Sequence, residues 1–344
     1  MQYVRMGNAG LKVSRLCLGT MNMGSKSWKP WIFDERESAP IIQHALDNGV
    51  NFVDLADFYS TGVGEAVVCN VLRKIARRDE LVITTKCGYA MSDDVNARGH
   101  SRKHIFDAMD ASLQRMGMDY VDIYMLHFFD LETPIEETMG ALNDLVKMGK
   151  ARYLGVSTMT TGQLANILMV CDRNGWPRPI NMQLQLNCAY REEQREMIPF
   201  CQDQGIGVSV FSPLARGILT NDLKSTRNQT DFFTADMYND QTSFDIAQSV
   251  ARVAHHRGVV PAQIAQAWVL RQPGVASMLV GADNVAQFDS ALAALDTQLD
   301  EDEVHELERN YTPCGPITDY ALADRIPRTA RPAKGVFTQE QQAS

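Results

Sequence analysis

The sequence lacks the features that mark several common functional classes. Its 33 Lys and Arg residues are outnumbered by 42 Asp and Glu residues, for a formal net charge of -9. This balance argues against a nucleic-acid partner, which requires a basic face. No apolar run approaches the roughly 20 residues of a membrane span, and the N-terminus lacks the pattern of a signal peptide. We therefore expect no membrane association.

Cysteine and histidine patterns give no sign of a disulfide framework or a metal site. The seven cysteines are an odd number, show no CxxC spacing and stand in apolar surroundings. We interpret them as buried reduced thiols and expect a cytoplasmic location. His255 and His256 are adjacent on a predicted helix, where their side chains point about 100° apart. We therefore expect no metal.

The chain also contains no GxGxxG, the spacing that usually marks a doubly wound dinucleotide-binding fold. Instead, short apolar segments alternate with longer amphipathic stretches of helical period. Such alternation implies parallel strands, and eight repeats favour closure into a (β/α)8 TIM barrel. The predicted strands are 15–20, 51–56, 81–86, 121–127, 151–157, 180–187, 208–214 and 277–282.

Three segments fall outside this repeat. Residues 2–14 predict a short N-terminal β-hairpin that turns between Gly7 and Gly10. Residues 220–242 are too long and polar for a tight connector, so we predict a flexible flap over the site. The tail from about 312 to 344 is rich in Pro and Gly and has no clear period. Because no low-complexity linker divides the chain, residues 1–344 are predicted to form a single domain.

Four reactive side chains stand at or just after the ends of adjacent predicted strands. Asp54 interrupts the apolar run NFVDLA, and Tyr59 follows on a turn. Lys86 ends the third strand and His127 ends the fourth. Active sites of such barrels gather where the strands end. Each residue alone has an ordinary structural explanation, but four at one mouth indicate catalysis.

These residue types suggest one chain of interactions. A buried carboxylate needs a partner, so Asp54 is predicted to face Lys86. The ammonium of Lys86 would lower the pKa of the Tyr59 phenol from its reference value of about 10. Tyr59 would then protonate an oxygen that His127 positions. A Schiff-base aldolase, with Lys86 as nucleophile, is an alternative.

Six motifs together resemble the aldo-keto reductases, closest to the bacterial and fungal branch near the aryl-alcohol dehydrogenases. They are DLADFYSTGVGEAV, VITTK, DIYMLH, ARYLGVS, FSPLARGIL and VGADNVAQF. The resemblance implies hydride transfer from a reduced nicotinamide dinucleotide to an aldehyde or ketone, reversible as alcohol oxidation. It also implies the catalytic tetrad Asp54, Tyr59, Lys86 and His127, with Tyr59 as proton donor. A dinucleotide-binding redox sensor or regulatory partner with vestigial turnover is a further alternative.

The resemblance also implies a cofactor site. Ser157 and Gln183 match residues that hydrogen-bond the carboxamide, and Phe211 stands where a ring stacks on the nicotinamide. The other implied cofactor residues are Gly19, Thr20, Met21, Asp54, Thr158, Ser212, Leu214, Arg216, Gly217, Arg227, Gly281, Ala282, Asp283, Asn284 and Gln287. Aromatic residues favour an apolar or aromatic carbonyl substrate, in a pocket of Trp28, Trp31, Tyr59, His127 and Phe128.

Two considerations conflict over the cofactor. Relatives that prefer the phosphorylated form often carry Arg, Lys or a hydroxyl residue at positions where this chain has Asp283, Asn284 and Gln287. An acid there would repel a 2′-phosphate but accept a hydrogen bond from a free 2′-hydroxyl. Arg227 would restore some positive charge, but the local electrostatics still favour NAD(H). The habit of the family that the chain resembles favours NADP(H), which is the first expectation, with NAD(H) as the alternative. The physiological substrate and the oligomeric state are left open.

Overall fold

A computed structural model describes residues 1–220, 229–231, 234 and 237–315. Eight parallel strands close into a barrel in the order β10-β3-β4-β5-β6-β7-β8-β9, which confirms the predicted TIM barrel. Two further strands, β1 and β2, pair antiparallel as the predicted hairpin. The strands are β1 (Tyr3–Arg5), β2 (Lys12–Ser14), β3 (Leu16–Gly19), β4 (Phe52–Asp54), β5 (Val82–Cys87), β6 (Val121–Leu126), β7 (Ala151–Ser157), β8 (Asn181–Gln185), β9 (Gly207–Phe211) and β10 (Val275–Val280).

Several helices begin or end at residues that satisfy their free backbone groups. At the start of the first helix, the Asp34 carboxylate accepts from the Glu37 amide and the Glu37 carboxylate accepts from the Asp34 amide. Gly117 and Gly175 end two others in the left-handed conformation. Among the described residues the α-helices are α1 (Glu35–Asp47), α2 (Val63–Ile75), α3 (Arg102–Met116), α4 (Ile135–Lys147), α5 (Thr161–Asn174), α6 (Met197–Gln204), α7 (Gln241–Arg257), α8 (Pro261–Leu270), α9 (Val285–Ala294) and α10 (Glu301–Glu308).

Alternation along the strands sends one set of side chains outward to the helices and the other into the barrel. Leu18 and Val53 belong to the large core shared with the helices, whereas Cys17 and Phe52 belong to a smaller apolar cluster. Side chains two residues apart on a strand share a face, so Asp54 lies on the same side as Phe52. The same period places Lys86 on the face of Val82. Apolar side chains thus fill the barrel toward the N-terminal ends of its strands, and polar side chains lie toward the C-terminal ends.

The hairpin packs at the N-terminal end of the barrel, opposite the strand ends that carry the polar residues. The Asn8 amide donates to the Gly205 carbonyl at 2.8 Å, and Met6 belongs to the inner apolar cluster. Gly7 has a φ of 59°, and a Cβ there would collide with the Gly205 carbonyl. The hairpin therefore leaves the C-terminal end of the barrel as the open one.

The predicted flap and tail lie only partly among the described residues. Of the predicted flap at 220–242, residues 221–228, 232–233 and 235–236 lie outside the described residues, as does most of the predicted tail at 312–344. Across the part of the chain that is described, no helix is long and apolar enough to cross a membrane.

Candidate active site

A cavity of about 720 Å³ opens at the C-terminal ends of the barrel strands. Gly19, Asp54 and Val280 reach it from β3, β4 and β10, and Ser157 and Gln183 reach it from β7 and β8. Because parallel strands all end at this rim, residues far apart in the chain converge on one volume. The cavity is therefore the candidate active site.

Lys86 lies at the centre of a buried polar cluster beneath the cavity. Its Nζ donates to Asp54 Oδ2 at 2.7 Å, to the Leu55 carbonyl at 2.9 Å and to Tyr59 Oη at 3.2 Å. These three contacts use all three donors of an ammonium. Lys86 is 0% exposed and Asp54 is 1% exposed. The predicted contact between Asp54 and Lys86 is present.

The Asp54 carboxylate is held on both oxygens. Its second oxygen, Oδ1, accepts from Gln183 Nε2 at 2.7 Å. The amide nitrogen of Gln183 is therefore committed to Asp54, which directs the carbonyl oxygen of the amide to other partners. Desolvation by itself lowers the pKa of Lys86, but the charge of Asp54 and the contact with Tyr59 together raise it above its ordinary value. Lys86 is thus a cation at neutral pH.

Tyr59 begins a short 3₁₀ turn, Tyr59–Gly62, on the connection between β4 and α2. Burial raises the pKa of its phenol, while the charge of Lys86 acts in the opposite direction and Asp54 adds to the rise. The effect predicted for Lys86 has the expected direction, but burial outweighs it, so the pKa of Tyr59 is raised overall and not lowered. The physical reason is that burial penalises the phenolate more than one ammonium, itself neutralised by Asp54, favours it. Tyr59 therefore holds its proton at neutral pH.

His127 follows β6 and lines the cavity beside Tyr59, with 6.0 Å between the ring centres. Burial lowers the pKa of His127 well below its ordinary value, and the charge of Lys86 acts in the same direction. The imidazole is therefore neutral, with one N–H donor and one acceptor. The site thus combines a protonated phenol with a neutral imidazole.

Backbone strain is concentrated around this rim. Among the described residues, all six non-glycine residues with positive φ lie on loops that follow β4, β7 and β9. Such conformations cost of order 1–3 kcal/mol each and cluster at functional sites. The six are Ser60, Thr61, Thr158, Ser212, Ala215 and Arg216.

Most residues that the sequence assigned to catalysis, the cofactor or the substrate line the cavity. Lys86 and Ala282 do not line it: Lys86 lies beneath it, and Ala282 is buried, with its carbonyl accepting from Asn22. Arg227 lies outside the described residues. The predicted residues that line it are Gly19, Thr20, Met21, Trp28, Asp54, Tyr59, His127, Ser157, Thr158, Gln183, Phe211, Ser212, Leu214, Arg216, Gly217, Gly281, Asp283, Asn284 and Gln287.

Two aromatic residues assigned to the substrate pocket do not line it. Trp31 is buried in the first loop, with the Lys29 ammonium 5.4 Å from its ring centre. Phe128 is buried between Tyr89 and His100, with 5.0 Å between ring centres on each side. Neither ring lines the cavity as the sequence predicted, because tertiary packing buries both side chains in the protein interior.

Other aromatic residues take that place. Phe58 and Tyr89 line the cavity, and their ring centres are 4.8 Å apart. Trp28 continues the row, 5.6 Å from Phe58 at nearly a right angle. The sequence analysis missed both Phe58 and Tyr89. The available signal was their position, one residue before Tyr59 and three after Lys86, on loops at the active end of the barrel.

Cavity-lining amides suit a polar ligand. Within the described chain, the side-chain oxygens of Asn22, Gln185 and Gln266 are buried and have no hydrogen-bond partner. A buried acceptor without a partner costs free energy, so these atoms are suited to accept from a bound molecule. A Cβ on Gly281 would meet no atom closer than 3.9 Å, so the wall there leaves room for a ligand. The residues present therefore fit a polar cofactor.

Two cations also reach the cavity wall. Arg216 lies 2.8 Å from the Asp231 carboxylate, and Lys29 lies 3.6 Å from its other oxygen. Both cations are therefore paired with the same carboxylate. Guanidinium and ammonium groups at a cavity wall can also bind anionic groups, for example phosphates.

Comparison with known proteins identifies the family of this chain. The sequence model of the Aldo/keto reductase family matches residues 15–311. The chain is 38% identical over 337 residues to the versiconal hemiacetal acetate reductase of Aspergillus parasiticus, covering 91% of this chain and 98% of that protein.

Two further relatives agree. A Saccharomyces cerevisiae protein named as a candidate aryl-alcohol dehydrogenase is 34% identical, covering 90% of this chain and 97% of that protein. An aldo-keto reductase of Metarhizium robertsii is 36% identical, covering 90% of this chain and 91% of that protein. The matches span nearly the whole barrel and include the branch that the sequence resembles. The relatives support carbonyl reductase activity, and the chain therefore belongs to the aldo/keto reductase family and is an oxidoreductase.

Proposed function

We propose that this protein is an NAD(P)H-dependent reductase that converts an aldehyde or ketone to an alcohol, with Tyr59 as the proton donor. The observation that carries the proposal is the position of the Tyr59 hydroxyl, 3.2 Å from Lys86 Nζ and beside His127 on the cavity wall. A protonated phenol next to a buried cation is suited to give up its proton as negative charge develops on a nearby oxygen.

In this proposal a reduced nicotinamide dinucleotide, when bound, supplies the hydride. The carbonyl oxygen lies between Tyr59 Oη and the His127 imidazole, which stabilise its developing negative charge. As the carbonyl carbon receives the hydride, the oxygen takes the Tyr59 proton and a C–OH group forms. The resulting phenolate is stabilised by the Lys86 ammonium and is reprotonated by solvent through the open cavity. Alcohol oxidation reverses these steps.

The residues of this chain would hold the dinucleotide across the cavity. In this proposal Ser157 and the Gln183 amide oxygen bind the carboxamide and Phe211 stacks on the nicotinamide ring, which is supported by the presence of all three residues in the cavity lining. Arg216 supplies positive charge for phosphates. The aromatic row of Trp28, Phe58 and Tyr89 supports an apolar or aromatic carbonyl compound as substrate.

Cofactor preference is a finer part of the proposal. Family habit favours NADP(H), whereas Asp283 lies exposed at one end of the cavity and its carboxylate accepts from Asn22 at 3.2 Å. The Gln287 side-chain oxygen accepts from the Asp283 backbone amide at 2.7 Å. We propose NADP(H) as the preferred cofactor, with NAD(H) as the alternative.

A direct assay tests the function. A panel of aromatic and aliphatic aldehydes and ketones is incubated with each reduced dinucleotide, and the nicotinamide absorbance is followed. We expect steady turnover with at least one aromatic aldehyde. Tyr59→Phe should lower kcat by about 10²–10⁴-fold, the usual contribution of a general acid, while the Kd of the dinucleotide changes little. A near-normal kcat for this variant would refute the role of Tyr59.

The two alternatives make different predictions. A redox sensor would bind the dinucleotide tightly but show no steady turnover with any carbonyl compound. A Schiff-base aldolase needs a neutral lysine, whereas Lys86 is buried, paired with Asp54 and has a raised pKa. Borohydride trapping of a substrate on Lys86, without any need for a nicotinamide, would favour the aldolase.

A further inference from the structure

Among the described residues, no side chain or backbone group forms a hydrogen bond with the His127 ring. Its Nδ1 is buried and has no hydrogen-bond partner in the described part of the chain. The backbone amide of His127 donates to the Cys87 carbonyl at 3.0 Å, which fixes only the main chain. A functional histidine is usually oriented by a hydrogen bond to its second ring nitrogen. Another kind of contact must therefore hold this imidazole.

The nearest ring to His127 is that of Tyr89. Their ring centres are 4.6 Å apart at an interplanar angle of 75°, an edge-to-face arrangement. Such pairs are favourable beyond their burial. Tyr59, the other ring against the imidazole, is more distant at 6.0 Å. Tyr89 therefore makes the closer of the two ring contacts.

Tyr89 is itself held on two sides. Its ring centre lies 4.8 Å from that of Phe58 and 5.0 Å from that of Phe128. Phe128 is buried and follows His127 directly, so the Tyr89 ring is enclosed by residues next to both Tyr59 and His127. A ring restrained in this way can restrain its neighbour, because close packing leaves few alternative rotamers.

We propose that Tyr89 is a positioning residue, whose ring orients the His127 imidazole toward the oxygen of the substrate. This inference rests on the proposed function, in which His127 contacts that oxygen. The contact is made by the ring, so the proposal assigns no part of the effect to the Tyr89 hydroxyl. Loss of the ring would let the imidazole rotate, and fewer enzyme molecules would present it correctly at any moment.

The kinetic test separates the ring from the hydroxyl. Tyr89→Leu should lower kcat about tenfold at saturating dinucleotide, whereas Tyr89→Phe, which keeps the ring, should restore kcat to within about twofold. In a His127→Ala background, Tyr89→Leu should have less than about a twofold further effect, because the group that it positions is gone. Equal losses in both backgrounds would overturn the proposal.

A spectroscopic test does not depend on turnover. In ¹⁵N-edited NMR, Tyr89→Leu should shift the imidazole signals of His127 and move its pKa upward as water reaches the ring. Trp28→Leu is the matched control, because Trp28 lines the same cavity but packs on Phe58 rather than on His127. This control should leave the His127 signals in place and show no kinetic coupling to His127→Ala.

These readouts distinguish two kinds of failure. If the wild type reduces no carbonyl compound, the proposed function fails while the NMR experiment still tests the contact. If the wild type is active but the His127 signals of Tyr89→Leu match those of the wild type, the positioning role is wrong. Should Tyr89→Leu not fold, Tyr89→Met is compared in the same way.

Discussion

Replacing Lys86 with Met tests the central electrostatic contact of the site. In the proposed reaction Tyr59 becomes a phenolate, and Lys86 Nζ lies 3.2 Å from its oxygen. At an effective dielectric constant of about 20, two unit charges at this distance attract by about 5 kcal/mol. If about half of the charge has developed in the transition state, removal of the cation raises the barrier by about 2.5 kcal/mol, or roughly 10²-fold in kcat.

The same substitution should also destabilise the fold. Asp54 is 1% exposed, and its carboxylate would keep Gln183 as its one side-chain donor among the described residues. Breaking a buried ion pair by removing one partner costs about 3–5 kcal/mol. The matched control is the double variant Lys86→Met/Asp54→Asn, in which the stranded charge is gone while the Asn oxygen can still accept from Gln183. We expect the double variant to regain most of the stability but not the rate.

Two measurements decide the outcome. Urea unfolding gives the free energy of unfolding of each variant, and kcat is taken at saturating dinucleotide, so that altered affinity does not enter. A double variant with kcat within about fivefold of the wild type would refute the reasoning, because it would show that the cation has little influence on Tyr59. Recovery of stability without recovery of rate supports it.

Further predictions concern stability and cofactor choice. Burial, together with the charge of Glu65, raises the pKa of Asp57 well above its ordinary value. The contribution of Asp57 to stability is therefore complete below about pH 4 and is lost as pH rises through the folded-state pKa. In urea unfolding, the free energy of unfolding of Asp57→Asn relative to the wild type should therefore increase by about 1.4 kcal/mol for each pH unit within that window. Gly7→Ala should cost about 1–3 kcal/mol in the same assay, yet leave kcat/KM of the folded enzyme unchanged, because the hairpin lies at the far end of the barrel. Asp283→Arg should shift the ratio of the Kd values of the two dinucleotides in favour of the phosphorylated form. The expected shift is roughly fivefold, which corresponds to about 1 kcal/mol from an exposed charge pair. An unchanged ratio would show that the 2′-position of the dinucleotide does not lie beside Asp283.

The large features of the fold were predictable because they depend on local patterns. Apolar segments of strand length, separated by helical periods, identified all eight barrel strands to within a few residues. Reactive residues at strand ends were expected to meet, because parallel strands share one rim. The convergence of Asp54, Tyr59 and Lys86 follows from that topology. The roles assigned to these residues are predictions for the experiments above.

Other features of the site were not predictable in this way. Trp31 and Phe128 seemed suited to the cavity wall, but both rings are buried, and Tyr89 and Phe58 line it instead. Loop residues carry no periodic signal, so the direction of each ring depends on neighbours that are distant in sequence. The Gln183 contact to Asp54 joins residues 129 positions apart and is likewise set by barrel closure.

The sequence by itself determined the barrel, its hairpin and the rim at which a carboxylate, an ammonium, a phenol and an imidazole collect. Only the tertiary structure decided how these groups influence one another. The phenol of Tyr59 retains its proton, rather than losing it more readily, because the enclosing protein removes it from water more completely than Lys86 compensates. Order along the chain determines which groups can meet, whereas solvent exclusion depends on the whole packed volume around them.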